Sequence, residues 1–310
     1  MVVRFAEYSR MKKAAALTVL VIVVVMLLLL VMQQDRSNIL FRVTAHGRRY
    51  SISNDMNYTY GVGENFSIYD RQLIEYVRSH ISQPSLTRPR QLASPNRHDK
   101  SQFGQSKFVD KLLSRRRHGF FVECGAYDGE THSNSLFFEL RRNWTGILIE
   151  ANPYLHSRLL KKNRRAYVLR ACLSAERRPV TVGMKPVGEY GGISDKMHKS
   201  QLRRIRASRI PDISVNCFPL NTIMATINVT YIDYFSLDVE GSELYILRTI
   251  DWTRLRIDVI TIEYVISTGH GIDRTATRKK LKNLRQFFND TGIYKEVGRL
   301  GGLDVVFSRI

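Results

Sequence analysis

The sequence predicts an α/β fold in which helices cover a mostly parallel seven-stranded sheet, closed by an antiparallel C-terminal hairpin and preceded by one transmembrane helix. Three observations carry this expectation. From about Gln102 onward, apolar runs of strand length alternate with helically spaced stretches, the pattern of a parallel sheet covered by helices. The first of those runs ends in a glycine-rich turn, Glu-Cys-Gly-Ala-Tyr-Asp-Gly at 123–129. Residues 14–32 carry no charge and one polar side chain, Thr18. As a helix that run would span roughly 29 Å, close to the hydrocarbon thickness of a bilayer.

The apolar run at 14–32 is longer than a signal-peptide core, and Val31-Met32-Gln33-Gln34 offers no small-residue cleavage site. Arg4, Arg10, Lys12 and Lys13 precede it, whereas only Arg36 and Arg42 follow within a dozen residues. The positive-inside bias then gives a cytoplasmic tail (1–13), a signal anchor (14–32) and a lumenal or extracellular remainder, the topology of a single-pass type II protein of the secretory pathway. All five glycosylation sequons lie beyond the anchor, at Asn57, Asn65, Asn143, Asn228 and Asn289. Asn57 and Asn65 fall in a stem, 33–101, that mixes Ser, Asn, Arg, Tyr and Pro and is expected to have little core of its own. One helix is predicted in it over 68–80, with Ile68, Leu73, Ile74 and Val77 on a face. The other three sequons fall within the globular region, 102–310, and are expected to be folded into it and unmodified, which leaves Asn57 and Asn65 as the glycosylation sites.

The formal net charge is +20, nearly all of it beyond residues 1–35, which hold four basic and two acidic side chains. Such a field favours acidic glycans, acidic protein segments or anionic headgroups as partners. An anchor pointing away from the cytosol argues against nucleic acid. Of the three cysteines, Cys124 lies inside the glycine-rich motif. An oxidising compartment therefore makes Cys172–Cys217 the better disulfide, with three free thiols as the alternative.

Within 102–310 the predicted strands are 119–123, 146–150, 166–172, 231–238 and 257–263, followed by a hairpin over 293–310 that turns at 300–303. Helices are predicted at 135–142, 155–162 and 275–288, and a mobile loop over 175–215. In such sheets ligands bind at the carboxyl ends of the strands. Gly125 allows a sharp turn there, and Gly129 is read as letting a ligand approach without a Cβ in the way. Glu150 closes the second strand with a carboxylate able to accept both ribose hydroxyls of a nucleoside. Neither G-x-G-x-x-G nor a P-loop lysine motif occurs. Asp238, Glu240 and Glu243 follow the fourth strand, and Glu263 closes the fifth. A helix dipole accounts for Glu243. Asp238 and Glu263 could bind a divalent metal, orient a substrate hydroxyl or act as general base. His132 and His270 are further candidates, by position in predicted loops.

The segments Glu-Cys-Gly-Ala-Tyr-Asp-Gly (123–129), Gly-Ile-Leu-Ile-Glu-Ala-Asn-Pro (146–153) and Tyr-Phe-Ser-Leu-Asp-Val-Glu-Gly-Ser-Glu-Leu (234–244) resemble the FkbM-type methyltransferase domain. Together with 104–113, 133–136, 143–150, 171–174 and 217–220, they resemble its Star-like branch, and the resemblance extends over 102–310. It implies a Rossmann-like, S-adenosylmethionine-dependent fold that methylates hydroxyl oxygens. On that template Glu123, Gly125 and Gly129 line the methionine moiety, Glu150 the ribose and Leu173 the region near adenine, while Asp238 and Glu240 face the transferred methyl. The Star-like branch implies an alternative role, a non-catalytic escort of secretory cargo from the endoplasmic reticulum to the Golgi and endosomes. In that branch the cysteines matching Cys172 and Cys217 also look paired.

Overall fold

The computed structural model describes residues 49–51, 59–61, 67–206, 210–268 and 271–310. The chain divides into two compact units, Met1–Gly63 and Glu64–Ile310. In the first, β1 (Arg49–Ser51) pairs antiparallel with β2 (Thr59–Gly61). The predicted anchor at 14–32, Asn57, Asn65 and His270 lie outside the described residues. Among the described residues, no helix is long and apolar enough to cross a membrane.

The second unit opens with α1 (Arg71–His80), β3 (Ile81–Ser82) and α2 (Gln105–Leu112). It continues through β4 (Phe120–Cys124), α3 (Leu136–Arg141), β5 (Thr145–Ile149), α4 (Pro153–Lys161) and β6 (Tyr167–Leu169). Next come β7 (Cys172–Leu173), β8 (Val180–Lys185), β9 (Gly192–Ile193), α5 (Lys199–Arg206), β10 (Ile213–Phe218) and α6 (Leu220–Thr226). The chain then forms β11 (Tyr231–Leu237), α7 (Glu243–Thr249), β12 (Arg256–Glu263) and the short pair β13 (Ser267–Thr268) and β14 (Gly271–Ile272). It ends with α8 (Arg274–Thr291), β15 (Tyr294–Leu300) and β16 (Asp304–Arg309).

Eight strands form the main sheet, in the order β15-β16-β12-β11-β4-β5-β6-β3. The five central strands are parallel, and the strands at both edges run antiparallel to their neighbours. Phe121, Val122, Ile147, Leu148, Phe235, Ile260 and Ile262 are all buried. Consecutive apolar residues of this kind need helices on both faces, which right-handed βα crossovers supply. The start of α4 follows from Asn152, whose side chain accepts from Tyr154 N at 3.0 Å, with Pro153 in the first turn.

Two expectations about the sheets need correction. The sheet has an eighth strand, β3, because Ile81 and Ser82 pair with Leu169 and Val168. A two-residue strand is too short to carry an alternation signal. The region 175–215 is not one loop, for β8, β9 and β10 join β7 in a second sheet ordered β7-β10-β8-β9. Cys172 and Cys217 are register partners in that sheet and are linked by a disulfide.

The predicted stem is also partly folded. Residues from Glu64 onward belong to the second unit, and α1 buries Leu73, Tyr76 and Val77. Glu130 fastens the stretch between β3 and α2. Its carboxylate accepts from Ala93 N at 2.6 Å, Ser94 N at 2.8 Å, Lys100 Nζ at 2.8 Å and Lys162 Nζ at 2.7 Å. Burial alone would raise its pKa, but the two lysines and two amides outweigh burial and lower it to about 2.

A fragment starting at residue 102 removes three of those four donors and leaves a buried carboxylate short of partners. It is expected to be at least about 3 kcal/mol less stable than a 64–310 fragment. Equal urea midpoints for the two fragments would contradict this. Because the folded pKa lies below the ordinary 4.5, the contribution of Glu130 is complete above that value and is lost as pH falls toward 2. Glu130→Gln should flatten that part of the acid-unfolding profile.

Candidate active site

The parallel core starts at β4, from which the chain moves outward through β5 and β6 on one side and β11 and β12 on the other. That reversal opens a crevice at the carboxyl ends of β4 and β11. A cavity of about 340 Å³ occupies it, lined by the 123–127 turn, Glu150, Leu173, Asp238, Glu240 and Glu263 among others. The second sheet contributes Leu173, Met184 and Ile193 to the apolar part of the wall.

The turn after β4 is fixed by close packing against β11. Gly125 has φ +81°, and a Cβ on it would lie 2.0 Å from the carbonyl oxygen of Asp238. The amides of Gly125 and Ala126 both donate to Ile149 O, at 3.1 and 3.2 Å, and Asp238 N donates to Cys124 O at 3.2 Å. The turn is therefore tied to the strand on each side of β4. Gly129 does not fit the reading of an open approach for a ligand. A Cβ there would meet the Leu159 side chain at 2.2 Å, so this glycine serves packing of the turn against α4.

Glu150 sits at the end of β5 with one oxygen accepting from Tyr127 N and the other from Asn152 N, each at 2.8 Å. Burial raises its pKa to about 7 against the opposing effect of the backbone amides. Glu123 lines the same cavity, but it also holds the 133–135 loop. It accepts from Ser133 Oγ at 2.9 Å, Asn134 N at 2.7 Å and Ser135 Oγ. Cys124 is buried, and burial beside Glu150 pushes its thiol well up, so it is not a nucleophile at neutral pH.

At the far end of the cavity, carboxylate oxygens of Asp238, Glu243 and Glu263 lie within 4.8 Å of one another. Asp238 opens into the cavity while protein encloses it on the remaining sides. Its pKa is raised well above the ordinary value by burial, then by Glu240, Asp304 and Glu243. Glu263 is raised likewise, by burial, then by Asp238 and Glu240, and one of its oxygens is buried without a hydrogen-bond partner. Asp238 and Glu263 therefore titrate together with their neighbours rather than singly. Two of them, Asp238 and Glu263, are the pair read from the sequence as metal ligands, and the fold does bring them together. It also brings an ammonium to the cluster, since Lys280 Nζ pairs with Glu243 at 2.9 Å. Burial opposes the charge on Lys280, but Glu243 and Glu263 outweigh it and hold the amine ionised.

Glu240 adopts φ +55°, and its Oε2 accepts from Gln201 of α5 at 2.6 Å, so it tethers that helix across the cavity. His132 lines the cavity, and so do Asn134 and Ser236, linked to each other at 3.0 Å. Sequence reasoning missed Lys280, Asn134, Ser236 and the Gln105–Asp304 pair, whose Nε2–Oδ2 distance is 2.5 Å. Gln105, Asn134 and Ser236 lie inside segments that carry the family resemblance, but their pairings join distant parts of the chain and leave no local signal.

The family model "Methyltransferase FkbM domain" matches residues 123–292, more than half of the chain. No match is found among curated proteins. Among solved structures, the chain is similar to the methyltransferase FkbM of Methylobacillus flagellatus KT, with 16% identity and a TM-score of 0.41. That likeness covers 68% of this chain and 49% of the other, so the chain spans about half of that protein's length. A methyltransferase domain of METTL16 is similar at 12% identity and a TM-score of 0.34, over 66% of this chain and 80% of that one.

Gly125→Ala tests the packing of the turn. The added carbon meets backbone rather than a flexible side chain, so the cost should exceed about 3 kcal/mol in chemical denaturation. A variant as stable as the parent would contradict the packing described.

Proposed function

Because the chain belongs to the methyltransferase FkbM domain family, we propose that its cavity binds S-adenosylmethionine and serves methyl transfer to a hydroxyl oxygen. The observation that carries this reading is Glu150, a carboxylate held by two backbone amides at the end of β5 and facing the cavity. In that position it can accept the two hydroxyls of a ribose. Leu173, Met184 and Ile149 offer an apolar wall for a purine, and the turn at Gly125 gives a wall without a side chain. The donor set thus fits a nucleoside with a polar tail. When bound, the cofactor supplies a methyl group already activated by its sulfonium.

The protein's part is positioning and proton transfer. Asp238 is the proposed general base, taking the acceptor hydroxyl proton on a carboxylate oxygen. In its ionised form, the raised pKa makes it a stronger base than an ordinary aspartate carboxylate. Glu263 and Lys280 set the charge around it, and Glu240 holds α5 over the site.

A lumenal, membrane-anchored placement belongs to the same proposal. It is supported by the apolar run at 14–32 and by the Cys172–Cys217 disulfide, a bond typical of oxidising compartments. The surplus of basic residues supports an anionic glycan or protein as acceptor.

Calorimetry on the full chain in detergent tests the cofactor reading. S-adenosylmethionine should bind, and Glu150→Gln should weaken binding by at least about tenfold, the worth of a lost charged hydrogen bond. Ribose hydroxyls donate to the ionised form of Glu150, whose free pKa is about 7. Affinity should therefore be flat above pH 7 and fall as pH drops below it, by up to about tenfold per unit. Absence of binding, or affinity unchanged in Glu150→Gln, would reject the assignment.

A further inference from the structure

We propose that the face of the second unit opposite the cavity is a glycan-bearing face, with Asn143, Asn228 and Asn289 as N-glycosylation sites. The cavity lies at the carboxyl ends of the parallel strands. The three sequons lie at the other edge. Asn143 lies two residues before β5, and Asn228 stands in the turn that leads into β11. Asn289 is in the last turn of α8, just before β15 begins at Tyr294. Tyr294 pairs with Arg309 at the end of β16, whose other end, Asp304, pairs with Glu263 at the cavity. Strands of five residues or more, at about 3.3 Å each, thus put roughly 17 Å between the sequons' edge and the cavity edge.

All three asparagines are exposed, as are Thr145 and Thr230 of their sequons. Asn143 and Asn228 have φ of +57° and +56°, in tight turns that hold them out from the sheet. The Asn143 amide contacts His118 Nδ1 at 3.0 Å, a surface contact that a glycan can replace. Glycans on these residues would cover the amino edge of the sheet and leave the cavity mouth open.

The inference rests on the lumenal placement, which the Cys172–Cys217 disulfide supports, and not on the cofactor assignment. The co-reactant is an oligosaccharide carried on a lipid pyrophosphate. The asparagine amide nitrogen bonds to the anomeric carbon, the carbon–oxygen bond to pyrophosphate breaks, and the lipid pyrophosphate leaves as the amide loses one proton.

The full chain expressed in a eukaryotic secretory system, with gel mobility read before and after N-glycosidase digestion, tests this. In Asn57→Gln/Asn65→Gln, digestion should still increase mobility, by three discrete steps, and fewer steps would remove the corresponding sites from the proposal. Adding Asn143→Gln, Asn228→Gln and Asn289→Gln should abolish the shift. Thr230→Ala should remove the same step as Asn228→Gln, which guards against an effect of either substitution on folding. If the parent shifts but Asn57→Gln/Asn65→Gln does not, the face bears no glycans although the lumenal placement stands. If the parent itself does not shift, the proposal and the lumenal placement both fall.

Discussion

The carbonyl oxygen of Asp238 occupies the space that a side chain on Gly125 would need. That contact lets the ends of β4 and β11 come together at the point where the chain's winding reverses. It brings the turn after β4, the end of β5 and the turn after β11 to one small volume. Glu150, Asp238 and Glu240 come from three different segments, yet they face one cavity because their strands are neighbours. A wider turn would separate Glu150, the proposed cofactor-binding carboxylate, from the proposed base.

The second determinant is charge. The cavity end of the sheet gathers Asp238, Glu240, Glu243, Glu263 and Asp304, with Lys280 as the ammonium among them. Burial, and after it repulsion among the carboxylates, raises the pKa of Asp238 and Glu263. Elsewhere buried carboxylates are matched with cations and make structure instead. Glu139 pairs with Arg164 at 2.6 Å, both fully buried, and Glu130 with Lys100 and Lys162. The same residue type thus does two jobs, and the number of nearby cations separates them.

Much of the parallel core was legible in the sequence because each central strand is apolar on both faces and ends in a recognisable residue. Predicted strands at 119–123 and 257–263 match β4 and β12 to within a residue or so, and the helix at 275–288 lies inside α8. Glu150 and Asp238 were legible for the same reason, as acids directly after apolar runs. What escaped notice depends on distant partners. The strand β3 has two residues and needs β6 to be a strand at all. The second sheet hides in half-exposed segments such as Val180–Lys185, whose pattern is weak without Cys217 and its neighbours beside it. Lys280 looks like one more basic residue on a basic helix, and only the fold sets it against Glu243. Gly129 was misread because a glycine forced by a neighbouring leucine looks the same in sequence as one that makes room for a ligand.

The central claim is that S-adenosylmethionine binds across the turn after β4 and the end of β5. Amide hydrogen exchange with and without the cofactor measures this directly. Slower exchange should be confined to residues 125–127, 150–152 and the 173 region, with β15, β16 and the opposite edge unchanged. Exchange unaltered at Tyr127 and Asn152, or protection centred on another part of the unit, would contradict the account.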